Sequence, residues 1–210
     1  MVMTNRRPLM NLNRHFFFRI CEDNYKRFKN CEHELLALPK DEFVEFNHVR
    51  RNELQDERDK YGTIVVVFAA MCLEAFIYDY AVHYLSESCA KKFDRYSHIK
   101  KWEVIPKQVT GTQIPANSKA FELLRELIKN RKNFVHTKSK RMPENRDDEF
   151  FDNVENNKVK EERQRATNAH KAYQTLKEIF IELDKIDSGD IKKTGLWQFF
   201  AKKFLREHIK

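Results

Sequence analysis

An arginine and a histidine, Arg131 and His136, are separated by four residues where a predicted helix meets a basic segment. Arginine is permanently cationic and can hold a phosphate through two parallel hydrogen bonds. Histidine is the side chain that titrates unperturbed near neutral pH, so it can accept or donate a proton. Cleavage of a phosphodiester without a metal ion requires such a cation and such a proton-transfer group. These two residues are therefore the candidate catalytic pair.

The helix that leads to this pair places Arg131 on its apolar face. Asn117 or Ser118 can cap its start. Apolar residues then recur at helical spacing, namely Phe121, Leu124, Leu127 and Ile128. We expect Arg131 to be partly buried, or to point into a groove or a subunit interface. In a straight helix Arg131 and His136 are about 140° apart. They converge only if the helix bends or ends, if Arg131 reaches round, or if a second subunit supplies the partner.

A further candidate is Glu74, a carboxylate in the most apolar stretch of the chain. Gly62 is predicted to open a long helix over residues 63–90, although the β-branched run 64–67 is also typical of a strand. The part of this predicted helix that carries no charge is shorter than the roughly 20 residues of a membrane span, so we expect a buried central helix. Burying an unpaired carboxylate is costly. Glu74 therefore makes a structural ion pair, faces an exposed window, or holds Arg131.

Few helix-breaking residues are present, which predicts an all-α fold. The 210 residues include five prolines and four glycines, and all four glycines fall at predicted element boundaries, namely Gly62, Gly111, Gly189 and Gly195. Further helices are predicted over residues 12–38, 41–60, 163–187 and 194–210. Pro39 ends the first of these helices. The fold class that we expect is an antiparallel helical bundle with extra N- and C-terminal helices.

Two segments are predicted to be loops. Residues 91–115 are expected to form an ordered loop held on the bundle by Trp102 and Ile105, with a short hairpin as the alternative. Residues 137–162 are polar and mixed in charge, and as a long loop they could cover His136. The chain then divides into an N-terminal extension packed on the core, a helical bundle and a basic amphipathic helix, over residues 1–60, 61–187 and 188–210.

Charge and cysteine spacing narrow the classes of function. The net charge of +8 favours binding to polyanions such as nucleic acid. The four cysteines lack Cys-x-x-Cys spacing, so we expect free thiols rather than disulfides or a zinc site. No glycine-rich phosphate loop is present, which excludes the P-loop and dinucleotide fingerprints. No secretory signal is recognised. We expect a cytoplasmic protein without a metal or cofactor.

The two central helices together resemble the HEPN superfamily, the higher eukaryote and prokaryote nucleotide-binding domains. The resemblance covers about residues 60–185 and rests on the acidic residue in 73–77 (Leu-Glu-Ala-Phe-Ile) and on the later Arg-x4-His. The motif of the family is an Arg followed by a polar residue and, after four to six residues, a His. Here these are Arg131, Lys132 and His136.

This chain departs from the family at one position of the motif. The family most often has Asn, Asp or His directly after the Arg, whereas this chain has Lys132. The neighbouring Asn130 and Asn133 could substitute for that side chain in part. The apolar residues 134–135 before the His are again similar to the family.

The resemblance implies a metal-independent endoribonuclease, a hydrolase of toxin–antitoxin or antiviral defence systems. It also implies a homodimer that brings two Arg/His motifs together. His136 would act as general acid or base at the ribose 2′-hydroxyl or the leaving oxygen. Arg131 would hold the scissile phosphate, with Glu74 orienting it, and the product would be a 2′,3′-cyclic phosphate. The implied partners are RNA, a second copy of the chain and an antitoxin or defence-system protein, with no membrane.

The alternative is a non-catalytic HEPN-like module that binds RNA, a nucleotide or a partner protein. In that case Arg131 pairs with Glu74, and His136 caps the C-terminus of its helix, where a cation is favoured. The two hypotheses differ in geometry, because an enzyme places Arg131 and His136 in one open basic cleft. A third class is a protein that binds a membrane surface through the final basic amphipathic helix.

Overall fold

The chain folds into helices joined by short connections. A computed structural model describes residues 13–39, 45–135, 148–187 and 203–204. Within those residues 89% are helical and none forms a strand, so the all-α prediction is confirmed. In chain order the described helices are α1 (Asn13–Ala37), α2 (Glu45–Tyr84), α3 (Glu87–Phe93), α4 (His98–Thr110), α5 (Lys119–Val135) and α6 (Asp148–Ile186).

Helix α2 is the centre of the fold and packs against each of the other five helices. Residues 64–67 belong to it, which excludes the alternative of a strand there. By length and apolar composition alone α2 could cross a membrane, and half of its most apolar window is buried inside the protein. The buried side chains of α2 include Val65, Leu73, Phe76, Ile77 and Tyr80.

Helices α1 and α6 both pack along α2 but run in opposite directions to each other. Arg14 at the start of α1 pairs with Asp79 near the end of α2, so these two helices are antiparallel. Helix α6 runs parallel to α2, as shown by the side-chain pairs Asp59–Arg165 and Tyr80–Asp187. The expected antiparallel arrangement therefore holds for α1 with α2 but not for α2 with α6.

Gly62 does not begin a helix, so the boundary predicted there is wrong. Helix α2 passes through Gly62 without interruption, and the proposed division between residues 60 and 61 falls inside this one helix. A Cβ at position 62 would lie 3.3 Å from the Cβ of Ala169 and 3.4 Å from the Phe28 ring. Glycine at this position lets α1 and α6 approach α2 closely. By contrast, Gly111 ends α4 with a φ of 79°, as predicted for a boundary.

The segment predicted as an ordered loop over residues 91–115 is largely helical. Helix α2 ends at Tyr84 rather than near residue 90, and Ser86 then caps α3. Helix α4 follows and contains Pro106, although proline is one of the helix-breaking residue types. Burial of Trp102 and Ile105, three residues apart, stabilises the helix despite the proline. The prediction that these two side chains pack on the bundle is confirmed.

The second predicted loop, over residues 137–162, is also partly helical. Helix α6 begins at Asp148, and residues 136–147 lie outside the described residues. The predicted C-terminal helix over 194–210 lies outside them too, apart from Lys203 and Phe204. Phe204 is buried against Phe18, Tyr173 and Phe180.

We predict that the buried ion pair between Arg14 and Asp79 is needed for stability. Asp79→Ala should lower the free energy of unfolding by about 3–5 kcal/mol, because it leaves the buried Arg14 cation without its partner. Urea unfolding monitored by circular dichroism measures the loss. The double variant Arg14→Met/Asp79→Leu should recover part of it, since no buried charge then remains.

A control for this prediction is Glu34→Gln, which removes an exposed pair with Arg50. Its unfolding midpoint should stay near that of the parent, because solvent screens the two charges. A loss below about 1 kcal/mol for Asp79→Ala would contradict the importance of the buried pair.

Candidate functional site

Helix α5 presents Arg131 on its packed face, as the sequence predicts. The Ser118 hydroxyl accepts a hydrogen bond from the backbone N–H of Phe121 at 3.3 Å and so caps the helix. Phe121, Leu124 and Leu127 are buried in the core. Arg131 continues this face towards the surface and keeps 30% of its side-chain area exposed. The prediction of a partly buried arginine is confirmed.

Three side chains from three helices meet at Arg131. The Oε2 atom of Glu74 lies 2.8 Å from Nε2 of His98 and 3.7 Å from Nη1 of Arg131. The same Nη1 atom lies 3.3 Å from Nε2 of His98. We call Glu74, His98 and Arg131 the polar trio. Glu74 thus holds Arg131, as one of the sequence hypotheses proposed, but it does so together with a histidine from α4.

The polar trio lies at the surface rather than in the core. Glu74 is 37% exposed, so it also faces the open window on α2 that the sequence argument allowed. The hydrogen bond from His98 holds the pKa of the Glu74 carboxyl below its usual value of 4.5, although partial burial opposes this shift. The positive charges of Arg131 and Lys101 act in the same direction as His98. Glu74 is therefore ionised at neutral pH.

The two contacts of His98 Nε2 require opposite roles of that atom. A single ring nitrogen cannot donate to Glu74 and accept from Arg131 at the same time. The shorter contact, 2.8 Å, is to an ionised carboxylate, which only accepts hydrogen bonds. We therefore assign the proton to Nε2, which donates to Glu74. Arg131 then approaches the imidazole as a neighbour and binds Glu74 through charge.

Two cavities open beside the polar trio, and Arg131 borders both. The first has a volume of about 250 Å³ and is lined by His98, Ile128, Arg131, Lys132 and Val135. The second, of about 320 Å³, is lined by residues of α1, α2, α4 and α5 and by Asp94, which follows α3; these are Asn13, Phe17, Met71, Glu74, Ala75, Tyr78, Asp94, Lys101 and Arg131. The first cavity has cationic and titratable walls, which suit an anionic group of phosphate size.

The remaining predicted site residues are not members of the polar trio. Lys132 is exposed and lines the first cavity. Asn130 is half-buried and Asn133 is exposed, and neither belongs to the described lining of the two cavities. His136 lies outside the described residues. Helix α5 stays helical through Val135, so it does not end between Arg131 and Val135.

His98 was not predicted as a site residue, because residues 91–115 were expected to form a loop. A signal for it was available in the spacing of Trp102 and Ile105, which is that of an amphipathic helix. Ser97 precedes the first residue of α4, and its hydroxyl accepts a hydrogen bond from Lys100 N–H at 3.3 Å. Recognition of this cap would have placed His98 on the first turn of a helix.

Comparison with known proteins adds no relative: no family model, curated protein or solved structure matches the chain. Within the four described ranges, no group of three or more His, Cys, Asp or Glu side chains is arranged to hold a metal ion. The polar trio and the cavities beside it are therefore the features from which a function can be inferred.

We predict that Glu74 stabilises the fold only while it is ionised. Its pKa is lowered in the folded state, so its contribution is present above pH 4.5 and is lost as the pH falls through the lowered pKa. The parent should exceed Glu74→Gln in free energy of unfolding at neutral pH, and this difference should shrink in acid. Urea unfolding at a series of pH values measures it.

The control is Glu122→Gln, which affects an exposed pair with Lys119 on α5. Its free energy of unfolding should stay close to that of the parent at each pH, because the pair is screened by solvent. A difference between parent and Glu74→Gln that grew on acidification would contradict the proposed role of the Glu74 carboxylate.

Proposed function

We propose that this protein is a HEPN-like endoribonuclease that cleaves RNA without a metal ion. The single observation that carries the proposal is the polar trio, in which Arg131 is held by an ionised carboxylate and lies beside an imidazole. This arrangement borders an open cavity whose walls include a second cation, Lys132. The net charge of +8 favours a polyanionic substrate.

Arg131 supplies the phosphate-binding group of this proposal. Guanidinium has five N–H donors, and Glu74 and His98 lie against Nη1. Among the described residues, no hydrogen bond is made by Nε or Nη2 of Arg131. These donors are available to a phosphate, which guanidinium binds through two parallel hydrogen bonds. Glu74 then sets the orientation of the guanidinium without occupying all of its donors.

The reaction that fits these groups is an internal attack by the ribose. A base removes the 2′-hydroxyl proton, the 2′-oxygen attacks phosphorus, and the bond to the 5′-oxygen breaks. An acid protonates that leaving oxygen, which gives a 2′,3′-cyclic phosphate and a 5′-hydroxyl. Arg131 stabilises the charge that develops on the phosphoryl oxygens. We propose His136 as one of the two proton-transfer groups, with Lys132 adding positive charge at the first cavity.

We propose further that two copies of the chain associate. Helix α5 is continuous from Arg131 to Val135, and in a helix that continued by one more residue Arg131 and His136 would be about 140° apart. A second subunit is one way to bring both groups to one phosphate. The biological setting that we propose is a cytoplasmic toxin or antiviral defence effector, neutralised or triggered by a partner protein.

A second candidate function is a non-catalytic module that binds RNA, a nucleotide or a protein. The observation that favours it is that Arg131 is paired with an anionic side chain of the same chain, Glu74. In that case the polar trio ties α5 to α2 and α4. This candidate predicts binding of RNA that weakens steeply with added salt, without cleavage.

We predict that Arg131→Ala and His136→Ala each lower the rate of RNA cleavage by at least about 100-fold. Arg131→Lys should remain strongly impaired, because an ammonium cannot replace two parallel guanidinium hydrogen bonds. The measurement is single-turnover cleavage of labelled RNA in excess EDTA, which should leave the parent rate unchanged.

The matched control for these variants is Lys129→Ala, which removes an exposed cation from the same helix. It should cleave within about threefold of the parent, since Lys129 lines neither described cavity. If Arg131→Ala and His136→Ala cut as fast as the parent, the site assignment is wrong. If the parent binds RNA but leaves it intact, the non-catalytic candidate is correct.

A further inference from the structure

We infer that His98 is the general base of the RNA-cleaving site and accepts the ribose 2′-hydroxyl proton at its Nδ1 atom. This inference rests on the proposed function. It adds to the proposed site a proton-transfer group that lies beside Arg131. The role of general acid is then left to the proton-transfer group already proposed, His136.

The first support is the pairing of His98 with a carboxylate. The 2.8 Å contact between Nε2 of His98 and Oε2 of Glu74 fixes both the orientation of the ring and the position of its proton. An ionised carboxylate in this position stabilises the imidazolium that forms when the ring accepts a proton. Glu74 is thereby a positioning residue for both His98 and Arg131.

The second support is the other ring nitrogen of His98. With the proton on Nε2, the Nδ1 atom of the neutral ring carries a lone pair and can accept a proton. Among the described residues, no hydrogen bond reaches Nδ1 of His98. The side chain is 29% exposed and lines the cavity of about 250 Å³, so a ligand in that cavity can reach the ring.

His170 is a second histidine that is paired with a carboxylate, and it differs from His98 at the other ring nitrogen. His170 also contacts a carboxylate, with its Nε2 atom 2.8 Å from Glu32. Its Nδ1 atom is occupied, however, by the Tyr25 hydroxyl at 3.0 Å. Both ring nitrogens of His170 thus join α1 to α6, which is a structural arrangement. His98 has the same carboxylate contact but keeps one nitrogen available.

The third support is the distance between His98 and the phosphate-binding group. Nη1 of Arg131 lies 3.3 Å from Nε2 of His98 and both side chains line the first cavity, so a phosphate that this guanidinium holds in the cavity lies beside the imidazole ring. The attacking 2′-oxygen belongs to the same nucleotide as the 3′-oxygen of the scissile phosphate. A base beside the phosphate is therefore close to the 2′-hydroxyl, as proton transfer requires.

The inferred step is balanced in protons. His98 Nδ1 takes the 2′-hydroxyl proton and becomes part of an imidazolium paired with Glu74. The 2′-oxygen forms a bond to phosphorus, and the bond from phosphorus to the 5′-oxygen breaks. The leaving 5′-oxygen takes a proton from the acid of the proposed site. His98 then gives its proton to water and the acid regains a proton from water, which restores the resting state of both groups.

The test compares the parent, His98→Gln and the control His170→Gln. A glutamine amide at position 98 can still donate to Glu74, but it cannot accept a proton at neutral pH. Two RNA substrates are used, one with the natural 5′-oxygen at the mapped cleavage site and one with sulfur in its place. Sulfur leaves without protonation, so it restores activity to a variant that lacks the general acid but not to one that lacks the base.

We expect His98→Gln to cleave both substrates about 10²- to 10⁴-fold more slowly than the parent, with no rescue by sulfur. His170→Gln should cleave at nearly the parent rate. Equal thermal unfolding of the parent and His98→Gln checks the fold. If His98→Gln is unstable, His98→Ala is assayed with added imidazole, which should restore cleavage if the ring acts as a base and should not if the ring is structural.

Three results would overturn the inference. Cleavage by a folded His98→Gln within about threefold of the parent would show that the ring transfers no proton. Rescue of His98→Gln by the sulfur substrate would show that His98 is an acid and not the base. An inactive parent would remove the proposed function and the inference together, whereas the first two results leave the proposed function standing.

Discussion

The association of Glu74 with His98 and Arg131 is the interaction on which the candidate site depends. Helix α2 packs against every other described helix and its second half is apolar, so a carboxylate there is stabilised by hydrogen-bond donors or cations. His98 and Arg131 supply them at 2.8 and 3.7 Å. One anion thereby determines where an imidazole and a guanidinium lie. The result is a guanidinium and an imidazole held side by side on the rim of the first cavity.

The fold positions these three groups through separate helices. Helix α2 supplies the anion from a half-buried position in its apolar half, while α4 presents its first residue and α5 presents the last part of its apolar face. The buried pair of Arg14 and Asp79 holds α1 against α2, and the Phe17 side chain of α1 borders the second cavity. Because each contributor is held by core packing, the polar trio has a defined geometry although it lies at the surface.

Periodicity of apolar residues predicted the helical fold, the inward face of α5 and the partial burial of Arg131. It also predicted that Glu74 needs a partner, since the cost of burying a charge follows from the sequence alone. Three features of the structure could not be predicted from the sequence in this way. Gly62 signals a helix end locally, but close packing against Ala169 keeps it inside α2. Pro106 signals a loop, but burial of Trp102 outweighs it. His98 was missed because contact between α4 and α2 is a tertiary property that no local pattern contains.

The ends of the RNA fragments test the central claim most directly. The parent protein is incubated with a defined RNA in excess EDTA, and the termini of every fragment are identified by mass spectrometry. Attack by the ribose 2′-hydroxyl at a site built from Arg131 and histidine side chains predicts 2′,3′-cyclic phosphate and 5′-hydroxyl ends. Fragments with 3′-hydroxyl and 5′-phosphate ends, or RNA that remains intact, would contradict the account.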